Sequence, residues 1–309
     1  MTPSALRNLA GGLAVMVLGL AGTVPPTAIA QDDVPRIAVV SAYTPEMVVL
    51  KGELENTAVH SLNGVDFSTG QLQGHEVILF LSGISIVNAA MTVQLALDHF
   101  NIEQIVFSGI AGGVDPELNL GDVVIADRWG QYLESLYARK TEGGWDKPEF
   151  FEYPYPNFGM MFPRSVTVQR AGADAPETRF WFEVDESLLA YARRAVAGVS
   201  LKHCTAENAC LEQAPKIVIG GPGVSGGAFI DNAEFRDYTF KTFGARVLDM
   251  ESAAVAHVAY ANDVPFIAIR SLSDLAGGGK GENKVDIFYT LAADNAAEVV
   301  KALLRTIPE

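Results

Sequence analysis

Three carboxylates in this chain stand just past short apolar runs. Asp274 ends Arg270-Ser-Leu-Ser-Asp274 after the run Val264-Pro-Phe-Ile-Ala-Ile269; Glu46 follows Arg36-Ile-Ala-Val-Val-Ser41; Glu251 follows Arg246-Val-Leu-Asp249. Short apolar runs bounded by turn residues read as buried strands. In open α/β sheets, ligands sit beyond the carboxyl ends of the strands. Acids gathered there, with few basic residues nearby, suit chemistry that stabilises a developing cation. Each acid alone has a plainer explanation. Glu251 fits the favourable dipole at a helix N-terminus, and Asp274 fits a cap on the following loop.

The elements that must position them alternate. Apolar strands are expected at 37–41, 75–82, 104–108, 122–126 and 216–219. Helical stretches are expected through Lys51 and Glu55 and over 86–100, 186–196, 252–261 and 292–304, with Val87, Met91, Leu95 and Leu97 as the inward stripe of the second. This alternation predicts an α/β fold: a single domain with a central mixed, largely parallel sheet flanked by helices. No internal repeat is present.

Two glycine turns follow strands, Ser82-Gly-Ile84 and Ser108-Gly-Ile-Ala-Gly-Gly113. Glycine lets backbone amides approach a ligand closely. Phosphate would also call for Arg or Lys, which neither turn supplies, and neither matches a dinucleotide fingerprint or a P-loop. In Ser225-Gly-Gly-Ala-Phe-Ile230, Phe229 suits stacking on a planar base while the Ile230 main chain reads its edge. A core position is the other reading of Phe229.

Residues 129–182 break the alternation. They hold all three tryptophans, Tyr153-Pro-Tyr-Pro156 and Gly159-Met-Met-Phe-Pro163. So long an aromatic loop is expected either to pack its own rings on the surface or to act as a lid or subunit contact.

The net charge of -15, from 22 basic and 37 acidic residues, disfavours nucleic acid as a partner. Residues 1–30 read as a signal peptide: Arg7, an apolar stretch over 9–24, Pro25-Pro26, and the small-x-small signature Ala28-Ile-Ala30. The stretch is short for a membrane span, so no stable membrane anchor is expected. Cleavage near Ala30 would leave a periplasmic or secreted protein. Cys204 and Cys210 are the only cysteines, and in an exported chain they read as a local disulfide. The rival is a metal site, for which His203 is the only other good ligand nearby; the zinc spacings are absent.

The order of motifs is more specific than any one of them. Ala42-Tyr-Thr-Pro-Glu46, Ser82-Gly-Ile84, Ser108–Gly113, Leu120-Gly-Asp-Val-Val-Ile-Ala-Asp127, Ser225–Ile230, Asp249-Met-Glu-Ser-Ala-Ala-Val-Ala-His257 and Arg270–Asp274 follow one another. The chain resembles the 5′-methylthioadenosine/S-adenosylhomocysteine nucleosidases of the purine nucleoside phosphorylase superfamily. The resemblance implies a nucleosidase-like domain over 31–309 acting on a purine nucleoside and water, with no cofactor and no metal, and a homodimer. It implies that Asp274 protonates the leaving purine and that Glu46 activates the attacking water. Glu251 and Met250 would meet the ribose, Phe229 and Ile230 the base, and Ser82 and Tyr43 would line the substrate site. Superfamily phosphorylases bind phosphate with arginines; residues 82–89 and 108–114 contain none. A phosphorylase and a non-catalytic nucleoside-binding or storage protein are the alternatives.

Overall fold

The computed structural model describes residues 32–279 and 281–308, so the expected signal peptide lies outside the described residues. The fold grows around the long strand Phe100–Gly113. Asp32–Ser41 runs parallel to it on one side, Val40 opposite Phe107, and Phe266–Asp274 runs parallel on the other, Arg270 opposite Gly109. Beyond Asp32–Ser41 the sheet continues through parallel His75–Leu81 and then antiparallel Val65–Leu72 and Glu55–Leu62. Val123–Ile125 pairs antiparallel with the far side of Phe266–Asp274, and Ile217–Ile219 pairs with Val123–Ile125. The far end of Phe100–Gly113 turns to pair antiparallel with Val247–Asp249, which leads to Pro222–Ser225 and Arg128–Gln131. The result is the expected mixed, largely parallel sheet flanked by helices. Every residue of Phe266–Asp274 is buried, as a strand covered on both faces requires.

Register sets the site. Leu248 and Asp274 both lie opposite Gly112, one on each side of the central strand. The turn bearing Glu251 and the end of the strand bearing Asp274 are thereby brought to one edge.

Four expectations need correction. The first helix ends at Gly52, and Glu55, expected to be helical, opens the strand Glu55–Leu62. Helix Ile86–His99 does not face inward through Val87 and Met91, which are 67% and 64% exposed. Its buried face is Ala89, Thr92, Val93 and Ala96, with Leu95 and Leu97 half-buried. Ala89 and Ala96 let the helix sit close on the structure beneath, and Val87 and Met91 are turned away. The last helix begins at Val285 instead of near 292, where Asn283 Oδ1 accepts from the Val285 amide. Finally, residues 129–182 are not a long loop. Arg128–Gln131 and Trp181–Glu183 join the main sheet, and the span between them folds into short antiparallel ladders.

The rings of that insertion pack among themselves and on helix Ala233–Phe243: Phe180 stacks on Phe243, and Phe158 lies edge-on to Phe235. The Trp181 indole donates to the Tyr155 hydroxyl at 2.7 Å. Trp129 is a fully buried sheet residue. Cys204 and Cys210 are bonded to one another. His203, the candidate metal ligand, instead donates Nε2 to the Leu211 carbonyl at 2.7 Å.

Candidate active site

A cavity of about 230 Å³ opens at the edge that the register creates. Its lining includes Tyr43, Glu46, Phe229, Ile230, Met250, Glu251 and Asp274, so seven of the eight residues singled out as catalytic or substrate-binding meet in one place. Ser82 is the exception. It is buried, and its hydroxyl donates to the Gly83 carbonyl. The loop reaches the site through the next serine instead, the Ser85 amide donating to Glu251 Oε1 at 2.8 Å. No residue of 129–182 lines this cavity.

Glu46 lies in the first turn of helix Thr44–Gly52, where Pro45 suits the start and an acid suits the dipole. Its Oε2 accepts from the amides of Ala42 at 2.7 Å and Tyr43 at 3.2 Å, and its Oε1 from the Ile110 amide at 2.8 Å. Three amides on two elements therefore fix the carboxylate. Burial pushes its pKa up, and Arg270 with these amides pulls the other way without cancelling the rise.

Arg270, named from the sequence only as the start of its motif, is the hub of the site. It is fully buried, with Nε 2.7 Å from Asp249 Oδ2, Nη2 3.3 Å from Glu251 Oε2, and Nη1 3.8 Å from Glu46 Oε1. Its guanidinium lies over the Phe107 ring at 4.1 Å. Burial alone would lower its pKa, but the three carboxylates outweigh that and hold it charged. Asp249 was also missed. It accepts from both the Ser225 and Ser252 hydroxyls and from the Glu251 and Ser252 amides, and with its pairing to Arg270 it ties three motifs together. The available signal was an arginine at the end of a wholly apolar run, which can be buried only if acids meet it.

Glu251 is pushed up to about 7, first by burial and then by Asp249 and Glu46, against the opposing pull of Arg270. Asp274 is also raised by burial, with the Asp231 charge adding to it. Its Oδ1 accepts from the Ala276 amide at 2.8 Å and its Oδ2 from the Ser273 hydroxyl at 3.1 Å. Phe229 is 60% exposed and lines the cavity, so the core reading fails for it. Among the described residues that line the cavity, none is lysine or arginine. The arrangement offers a carboxyl whose pKa burial raises, a second carboxylate fixed by three amides in the same cavity, and a flat ring.

The chain matches the Phosphorylase superfamily over residues 36–305 and belongs to that family. Its curated relatives are nucleosidases, that is, N-glycosyl hydrolases. It is 32% identical to the 5′-methylthioadenosine/S-adenosylhomocysteine nucleosidase of Bacillus thuringiensis over 247 residues, 78% of this chain and 87% of the relative. Against the enzyme of the same name from Mycobacterium tuberculosis it is 29% identical over 275 residues, 88% of this chain and 96% of the relative. The solved Neisseria meningitidis nucleosidase in complex with methylthio-immucillin-A superposes with a TM-score of 0.66 at 26% identity, covering 88% of this chain and 99% of that one.

Proposed function

We propose that this protein hydrolyses the N-ribosidic bond of 5′-methylthioadenosine, S-adenosylhomocysteine or a related purine nucleoside. The observation that carries hydrolysis over phosphorolysis is electrostatic. Among the described residues the cavity is lined by carboxylates with no basic side chain, and the Arg270 guanidinium behind it is already matched by Asp249, Glu251 and Glu46. A phosphate dianion would enter against that charge; water would not.

In this reading the purine stacks on Phe229, its edge meets the Ile230 main chain, and Asp274 donates a proton to the ring nitrogen as the bond to the sugar breaks. The sugar carbon becomes cationic, and the anionic side chains opposite, Glu251 at the hydroxyls and Glu46 beyond, stabilise it. Glu46 takes a proton from the water that attacks that carbon. Base leaves protonated, hydroxide adds to the sugar, and no cofactor enters. Met250 and Tyr43 complete the ribose side. Retention of all three acids in one cavity argues against a storage protein.

We further propose that the mature chain is exported after cleavage near Ala30 and works as a homodimer. Ile84, Val87 and Met91 form an exposed apolar stripe, and Ile84 lines the cavity, so a second copy covering the stripe would meet the site. Release of adenine from 5′-methylthioadenosine in phosphate-free buffer tests the activity. Turnover only after phosphate is added would overturn hydrolysis.

A further inference from the structure

The strand that carries Asp274 is irregular just before it. Leu272 lies opposite Ala111 and Asp274 opposite the next residue, Gly112, so Phe266–Asp274 carries one extra residue, Ser273, immediately ahead of the acid. Bulges of this kind re-aim a side chain. The aim of Asp274 is then only as fixed as Leu272. On the side away from Phe100–Gly113, two bonds of 2.8 Å hold Leu272: the Gly121 amide donates to its carbonyl, and its own amide donates to the Asp122 carbonyl. The Ser271 hydroxyl adds a third bond, to the Gly121 carbonyl at 3.3 Å.

Gly121 is itself backed by Leu211. At φ +81° it leaves no room for a Cβ against the Leu211 side chain. Within 202–216 only Leu211 is buried, and it packs with Leu120, Phe288 and Leu291 apart from the main core. Phe288 stands one turn beyond Val285, which lines the active cavity. A hairpin fixes Leu211 in turn. Its amide donates to the His203 carbonyl at 2.9 Å, its carbonyl accepts from His203 Nε2 at 2.7 Å, and the Thr205 amide donates to the Ala209 carbonyl at 2.9 Å. The bond between Cys204 and Cys210, both exposed, closes that hairpin. So short a loop leaves a disulfide little unfolded-chain entropy to remove, so its effect is chiefly local.

We propose that Leu211 is a positioning residue for Asp274 and that the Cys204–Cys210 bond sets it, so that a dithiol reductant lowers turnover without unfolding the protein. The inference rests on the nucleosidase reading above. The reductant gives two electrons and two protons to the S–S bond; two thiols form, and the dithiol leaves as its own cyclic disulfide. The hairpin then loses its closure, Leu211 loosens from Gly121, and the bulge ahead of Asp274 loses its outer support.

The test measures kcat, KM and the pH profile with 5′-methylthioadenosine. It compares the oxidised protein, the protein reduced with dithiothreitol, the double variant Cys204→Ser/Cys210→Ser, Leu211→Ala and Leu211→Met. Reduction, the double variant and Leu211→Ala are each expected to lower kcat by about 10-fold. KM should stay within about 2-fold, because Phe229, Met250 and Glu251 stand on other elements. The alkaline limb of kcat should move to lower pH, since burial, with the Asp231 charge second, raises the Asp274 pKa, and a loosened strand end is better hydrated. Leu211→Met conserves volume and should keep both values at those of the wild type. The double variant should not respond to dithiothreitol. A fall in kcat with the limb unmoved, or no change on reduction and in Leu211→Ala, overturns the proposal. Absence of turnover in the oxidised wild type would remove the nucleosidase reading alone. Amide hydrogen exchange then decides: faster exchange at Gly121 and Leu272 on reduction supports the positioning role, and unchanged exchange there overturns it.

Discussion

Arg270 and Gly109 are register partners on neighbouring strands, and the Arg270 guanidinium occupies the space a side chain on residue 109 would need. The same hypothetical Cβ would also collide with the Glu46 carboxylate. The second glycine turn thus serves the site in a way distinct from ligand approach: it makes room for a buried ion network.

Gly109→Ala is therefore expected to displace both Arg270 and Glu46. Steady-state kinetics should show kcat/KM falling by roughly 100-fold or more, a loss of the size seen when preorganised charge is disturbed. The far-ultraviolet circular dichroism should stay near that of the wild type. Near-normal turnover would mean that the network tolerates a shift at its centre.

Arg270→Met leaves Asp249, Glu251 and Glu46 buried without their cation. Breaking a buried ion network from one side costs about 3–5 kcal/mol. Denaturant unfolding should show this as a lower midpoint. A midpoint within error of the wild type would mean that the three acids satisfy one another by sharing protons.

Much of this was legible in sequence, and the failures have physical causes. The strand ends that carry Glu46, Glu251 and Asp274 were readable because buried parallel strands are continuous apolar runs. Val87 and Met91 were misread because apolar character alone does not say which face of a helix is covered; Ala89 and Ala96 take the inward positions through their small size. Ser82 was placed in the site by its motif, but the backbone of Ser85 does the work, and a backbone donor leaves no trace in residue type. Pairing between distant segments hid the insertion's ladders: Ser135–Tyr137 meets Met161–Pro163 across a long intervening stretch.

Glu251 supplies a pH test with a definite sign. Its pKa in the folded protein is about 7, above the ordinary carboxyl value, so folding favours the protonated form. The stability it contributes is complete below the unfolded value of roughly 4.3 and is lost as pH rises through about 7. Glu251→Gln removes this loss. The difference in Tm, variant minus wild type, should become more positive between about pH 5 and pH 8. A difference that is flat or falls with pH contradicts the assigned direction.

Asp274→Asn retains shape and hydrogen bonding but has no acidic proton to give. Turnover should fall by roughly 100-fold or more, while purine nucleoside binding is retained far better. The raised pKa of Asp274 also means that the wild type loses its acid as pH rises, so the alkaline limb of its kcat profile should be absent from the variant's residual activity. Wild-type-like turnover in this variant would remove Asp274 from the chemistry.

The central claim is water as the nucleophile at a carboxylate-lined site, and the identity of the sugar product tests it most directly. Proton and phosphorus magnetic resonance should be followed while the protein consumes 5′-methylthioadenosine with inorganic phosphate present in excess. The expected result is free adenine and free 5-methylthioribose, with the phosphate resonance unchanged in intensity and no new sugar phosphate signal. Accumulation of 5-methylthioribose 1-phosphate in step with adenine would contradict it.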